Sequence, residues 1–171
     1  DVLLVDSEGS ELVCLEGPTG KLRWRFPLGE PFDAHPVITG KQALVATRSG
    51  RLFMVDLASG VSIGYIHLPQ ELRTGPAVTP DGATAFQLAE HSNLFALSLA
   101  DGQCKQVLYL GHEPGSVTAA PVIVGSLLVI ARNESGDKSS LCVFSILAKD
   151  GGVALARLHD LPLKGHVSSA P

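Results

Sequence analysis

A regularly spaced proline constrains this chain more than any other feature. A hydrophobic residue, three small or polar residues and a proline recur as FDAHP (Phe32 to Pro36), LRTGP (Leu72 to Pro76), VTAAP (Val117 to Pro121) and VSSAP (Val167 to Pro171). The prolines are 40, 45 and 50 residues apart. Downstream of the first three, and ahead of them at the start of the chain, stand four leucine-led stretches: Leu12 to Glu16, Leu52 to Asp56, Leu94 to Ser98 and Leu141 to Ser145. Each runs into a glycine turn. In three copies the glycine stands eight residues after the leucine, at Gly20, Gly60 and Gly102, and in the fourth it moves out to Gly151 or Gly152.

Such punctuation excludes helices, which do not tolerate glycine or proline every ten residues. The segments between are short, rich in Val, Ile, Leu and Phe, and separated by turn residues such as TGKQ, RSGR and LASG, so every element reads as a strand. Four short antiparallel strands per unit of this length describe one blade of a β-propeller, a sheet that is stable only when stacked against its neighbours. The expected fold is all-β, a partial arc of about four blades. The expected segments are 1–28 (a partial blade), 31–68, 72–110 and 116–163, with 166–171 opening the next. The extra length of the fourth falls in RNESGDKSS (Arg132 to Ser140), expected as a polar hairpin tip, and in LAKDGG. The broken blades at either end predict further blades in a longer protein or edge-to-edge self-association of two copies.

Composition narrows function by exclusion. At 171 residues, with 45% hydrophobic and 18% charged residues, the chain can bury a sizeable core. A formal net charge of -4 without a Lys/Arg block gives no footprint for nucleic acid. The longest apolar run, Ala119 to Ala131, is broken by Pro121 and Gly125 and is too short to span a bilayer. The start at Asp1, without methionine or leader, is expected to be a boundary within a longer chain. Cys14, Cys104 and Cys142 are odd in number, far apart and in strand-like contexts, which predicts buried free thiols.

One stretch carries a family resemblance. CLEGPTGKLRW, followed by RFPLGEPFDAHPVI, resembles the repeat of quinoprotein alcohol dehydrogenases, the PQQ-enzyme repeat, and the spacing of Pro, Leu and Gly extends the likeness over the whole chain. The resemblance implies that Trp24 docks on the neighbouring blade, with Gly20, Gly60 and Gly102 as turn positions around such docking. An indole with one N–H to satisfy suits that wedge on physical grounds as well. Gly64 and Gln106 hold the place of Trp24 in the second and third copies, so docking there is expected to be degenerate.

Catalytic members of this family hold a pyrroloquinoline quinone between a tryptophan and adjacent cysteines, over a calcium ion. This chain has one tryptophan and no adjacent cysteines, so no cofactor is expected. Six histidines lack the spacing of a zinc site, and GPTGK (Gly17 to Lys21) lacks the spacing and following helix of a phosphate loop. His112 with Glu113 in GHEPGS reads as a solvated connector or an exposed ligand pair. By analogy with propellers, the residues just before each repeat proline line the mouth of the central channel: Asp33, His35, Arg73, Thr74, Thr118, Ser168 and Ser169. They are the candidate binding residues, although small polar groups also simply fit a crowded axis.

Non-catalytic members of the family include bacterial envelope scaffolds and sensor regions. The resemblance therefore implies a non-catalytic scaffold for a protein or peptide partner, with an envelope location. The alternative is a fragment of a quinone- and calcium-dependent alcohol or sugar dehydrogenase whose cofactor site lies mostly elsewhere. A sugar-binding propeller would need clustered exposed aromatics, of which the chain has few.

Overall fold

The structure is a computed structural model that describes residues 1–111, 115–134, 137–149 and 152–169. The described residues form fifteen β-strands and one 3-10 turn, Glu90–Ser92. They divide into two compact units, Asp1–Gly75 and Pro76–Pro171. The expected connector residues His112 and Glu113, the turn residue Gly151 and the final proline lie outside the described residues.

In the first unit, β1 (Val2–Asp6), β2 (Glu11–Leu15) and β3 (Leu22–Pro27) make a three-stranded antiparallel sheet. β4 (Val37–Thr39), β5 (Gln42–Ala46), β6 (Arg51–Asp56) and β7 (Ser62–His67) make a four-stranded one in chain order. β2 alternates half-buried and buried residues and points Leu12 and Cys14 into the core. β5 is buried on both faces from Ala43 to Ala46, which is why it lacks the period-2 pattern of a one-sided strand. Leu12, Cys14, Trp24 and Phe32 pack with Ala43, Val45 and Val55 between the two sheets. Each large apolar side chain buried there contributes roughly 1.5–3 kcal/mol.

The second unit contains β8 (Ala77–Val78), β9 (Thr84–Ala89), β10 (Asn93–Ser98) and β11 (Cys104–Tyr109), then β12 (Val122–Val124), β13 (Leu127–Asn133), β14 (Lys138–Lys149) and β15 (Gly152–Lys164), again two antiparallel four-stranded sheets. Phe86, Leu94, Leu128, Ile130 and Phe144 form the centre of its core. The extra residues of the fourth copy lengthen strands: β14 and β15 have 12 and 13 residues. Much of the expected polar tip is therefore ladder, with Ser139 and Ser140 buried in β14.

One turn recurs between the last two strands of the first three sheets. Asp56 Oδ1 accepts hydrogen bonds from the Ser59 amide at 2.8 Å and its hydroxyl at 2.6 Å, and the Gly60 amide closes back on the Asp56 carbonyl at 2.8 Å. Glu16–Gly20 and Ser98–Gly102 close in the same way, and all three glycines have φ near +70°. Beside each turn the ladder slips by one residue, at Cys14/Leu15, Met54/Val55 and Ala96/Leu97, and β14 repeats the slip at Val143/Phe144. The slip fixes which residue faces the neighbouring sheet: Trp24, Gly64, Gln106 and His159 stand opposite Cys14, Met54, Ala96 and Val143.

Trp24 is buried against the turn of the next sheet and donates from Nε1 to the Leu57 carbonyl at 3.0 Å. The loss of docking expected at Gln106 is corrected by the structure. Its carboxamide donates to the Leu155 carbonyl at 3.2 Å and accepts from the Leu155 amide at 2.8 Å. Counted from the ladder slips, Leu155 lies two residues before Arg157 as Gly60 lies two before Ser62, so both docks address the same position. An apolar wedge is replaced by a pair of hydrogen bonds.

The cysteine expectation is also corrected. Cys14 and Cys142 are buried, but Cys104 opens the edge strand β11 and is exposed. Its thiol is raised above the ordinary value by desolvation, and that of Cys142 by desolvation and then by Asp160.

Candidate functional site

The residues before the first three repeat prolines lead into the short strands β4, β8 and β12, each at one edge of its sheet. In the first unit they meet a hairpin tip. The tip between β5 and β6, Thr47 to Gly50, is held by the Arg48 amide donating to the Pro31 carbonyl at 3.0 Å and the Leu68 amide donating to the Gly50 carbonyl at 2.8 Å. This anchoring projects the Arg48 side chain over the segment that carries Asp33.

Arg48 Nε donates to Asp33 Oδ2 at 2.7 Å, with a second bond from Nη2 to the same oxygen. Arg48 Nε also lies 3.8 Å from Glu71 Oε1, and Arg73 Nη2 lies 3.1 Å from Glu71 Oε2. Asp33, Arg48, Glu71 and Arg73 therefore form a line of alternating charge. Its members are exposed by roughly a quarter to a half, so each pair is worth at most about 1 kcal/mol and keeps hydrogen-bonding capacity toward solvent. Below it Glu30, 10% exposed, accepts from Thr47 Oγ1 at 2.9 Å, Arg51 Nη1 at 3.0 Å and the Ser49 hydroxyl.

The structure thus joins Asp33 to Arg73 through Arg48 and Glu71. His35 is exposed, and its carbonyl oxygen would stand 3.0 Å from a Cβ on Gly75. Thr74 is buried.

In the second unit the same places carry a different chemistry. The Asn133 amide donates to the Ser116 carbonyl at 2.7 Å, as Arg48 does to Pro31. Asn133 Nδ2 donates to the Val167 carbonyl at 2.9 Å and to Thr118 Oγ1 at 3.2 Å, and its Oδ1 accepts from the Val167 amide at 2.8 Å. Thr118 Oγ1 donates to the same Val167 carbonyl at 2.8 Å. Ser168 follows this clamp and is exposed, as is Ser169. Beside it Glu134 is held below the ordinary carboxylate range by hydrogen bonds from Arg132 and then Ser140. Thr118 is thus fixed, with Asn133, against Val167, the residue before Ser168.

Arg48, Glu71 and Asn133 escaped the sequence reading. The available signal was spacing: Arg48 and Asn133 each stand twelve residues after a repeat proline, Pro36 and Pro121.

The residues do not fit a quinone. The single tryptophan is sealed under the next turn with its N–H bonded, and its cross-strand neighbour Cys14 is buried beneath it. Among the described residues no three His, Cys, Asp or Glu side chains gather as a metal site.

Comparison with known proteins follows the same lines. A family model described as the outer membrane protein assembly factor BamB matches residues 1–156. The chain belongs to this BamB-like family. BamB from Moraxella catarrhalis is similar over 80% of this chain and 40% of its own, with 23% identity and a TM-score of 0.64. The Kuenenia stuttgartiensis hydrazine synthase is similar over 95% of this chain and 46% of its own, at 15% identity and a TM-score of 0.77. Dihydro-heme d1 dehydrogenase NirN, solved in complex with DHE, is similar over 91% of this chain and 34% of its own, at 21% identity and a TM-score of 0.72. No match is found among curated proteins. The chain spans less than half the length of each solved structure, and at these identities the likeness shows the fold: a partial β-propeller of four-stranded antiparallel blades.

Proposed function

We propose that this chain is a non-catalytic scaffold segment that binds a protein or peptide partner, with the charged line of the first unit as its contact. One observation carries this reading: Asp33, Arg48, Glu71 and Arg73 form an exposed, alternating, pre-organised array on the first unit. Alternating charge on a rigid edge steers and orients a complementary segment more than it adds raw affinity. The test is capture of partners by the chain and by an Asp33→Ala, His35→Ala, Arg73→Ala variant, at low and high salt. A partner held by the parent, lost by the variant and weakened by salt supports the reading, and a partner insensitive to both sinks it. A thermal shift on adding pyrroloquinoline quinone with calcium would instead support the dehydrogenase alternative.

An envelope location comes with the family name and belongs to the same proposal. One observation pulls the other way: the exposed free thiol of Cys104 suits a reducing compartment better than an oxidising one. Fractionation of cells expressing the tagged parent protein decides between them.

A further inference from the structure

Trp24 and Gln106 stand at the same place beside a ladder slip, and each bonds backbone of the sheet packed on its own. His159 stands at that place in the fourth sheet (β12 to β15), opposite Val143, and is exposed. Cross-strand partners share a face, so the register carries the surroundings across as well. Around Trp24 lie Leu12, Cys14, Phe26 and Leu28; the same four places around His159 are Leu141, Val143, Leu161 and Leu163. In the first sheet this face is closed by the second, with Leu12 buried completely and Leu28 8% exposed. In the fourth sheet Leu161 is 49% exposed and Leu163 38%, and Val124, on the same face at the inner edge, 60%. The opposite face is already in use, since Leu128, Ile130 and Phe144 belong to the core of the second unit.

We propose that this face docks a further four-stranded sheet of the same repeat, on the same polypeptide, and that His159 is the residue that pins it. Three observations select that occupant. The face repeats, position for position, the one that the second sheet covers in the first unit. The sheets that cover Trp24 and Gln106 each begin directly after a repeat proline, Pro36 before β4 and Pro121 before β12. The fourth copy of that repeat is VSSAP, and Asn133 and Thr118 hold its Val167 in place. The chain also spans only 40% and 46% of two of the solved propellers it matches.

The side chain narrows what is recognised. A neutral imidazole is a ring with one N–H donor and one bare nitrogen. It suits the role of Trp24, with the ring against a turn glycine and the N–H donated to a carbonyl. It does not suit the role of Gln106, whose two bonds reach one residue from a parallel donor and acceptor. The docked sheet is therefore expected to present a turn of the Asp56–Gly60 kind, with a carbonyl placed as that of Leu57. The charged line belongs to the first unit, so this proposal and the partner reading can fail independently.

The test is thiol labelling of a Leu161→Cys variant, read on the proteolytic peptide that carries the substitution, in residues 1–171 and in the protein as the cell makes it. Labelling is expected to be at least about tenfold slower in the latter, a tenfold change in opening being about 1.4 kcal/mol. In that protein His159→Ala and His159→Glu, which remove the N–H, speed labelling about tenfold. His159→Trp and His159→Gln, the side chains that dock the first and third sheets, leave it slow. Leu163→Cys repeats the measurement at a second position, and circular dichroism confirms folding of each variant. Equal rates in the two proteins, slow labelling in all four His159 variants, or protection lost on dilution to monomer, which would make a second copy the occupant, would overturn the proposal.

Discussion

A Cβ placed on Gly60 would lie 2.5 Å from one ring atom of Trp24 and within 2.8 Å of two more. The turn glycine is therefore also the floor on which the indole rests. With φ of +71° the position disfavours any side chain, and the ring forbids one. Gly60→Ala is expected to destabilise the chain by more than about 1 kcal/mol, and Trp24→Ala by about 3–5 kcal/mol. The double variant should cost less than the sum, because removing the indole removes the clash. Urea unfolding of the four proteins measures the coupling, and additivity within about 0.5 kcal/mol would refute the contact.

Gln106 makes the polar version of this dock. Gln106→Ala strands the amide and carbonyl of buried Leu155 and should cost about 1–3 kcal/mol. Gln106→Glu keeps the acceptor but turns an oxygen toward the Leu155 carbonyl, which favours the protonated acid and raises its folded pKa. Stability of that variant is then fully present below the unfolded glutamate value near about 4.3 and is lost as pH rises through the folded one. Urea midpoints at pH 4 and pH 7 check this: the deficit relative to the parent should be larger at pH 7.

The contrast between Arg48 and Asn133 gives the third test. Arg48→Ala removes only exposed ion pairs and should change stability by at most about 1 kcal/mol. Asn133→Ala removes bonds to both backbone groups of Val167 and should cost about 1–3 kcal/mol. Hydrogen exchange locates the loss: the Val167 amide should lose protection in Asn133→Ala and keep it in Arg48→Ala. Equal protection in both variants would show that the segment is held by something other than the clamp.

These positions mark how far the sequence was legible. Prolines and glycines constrain backbone locally, so the repeat exposed the strand count, and the lone indole exposed its own dock. Asn133 and Gln106 act through hydrogen bonds to backbone 34 and 49 residues away in sequence, and Arg48 through ion pairs with Asp33 and Glu71, and the partner of such a contact is not written in the residue that makes it. Cys104 was misjudged for a related reason: its place in a strand resembles that of Cys14 and Cys142, and only the sheet order puts β11 at an edge. Asp33 and Arg73 were singled out as candidates by their spacing from Pro36 and Pro76, while the residues that join them, Arg48 and Glu71, are ordinary surface charges by composition.

Acid should probe the hairpin turns. Asp56 is held below its ordinary value of 3.8 by the hydroxyl and amide of Ser59, and Asp81 likewise by the Thr79 hydroxyl and then the Ala83 amide. Asp101 is lowered further, by Lys105 first and then Ser98. A carboxylate whose folded pKa lies below its unfolded one contributes stability that is complete above the unfolded value and is lost as pH falls through the folded one. The window therefore opens near pH 3.8 and extends downward. Asn at these positions keeps an acceptor for the turn and removes the titration. The Asp56→Asn, Asp81→Asn, Asp101→Asn variant should be somewhat less stable than the parent at pH 6 and lose less of its stability between pH 5 and pH 2, measured by urea unfolding at each pH. A slope as steep as the parent's would place its acid sensitivity in other carboxylates, Glu134 and Asp160 first, since both are also held below their ordinary values by arginine partners.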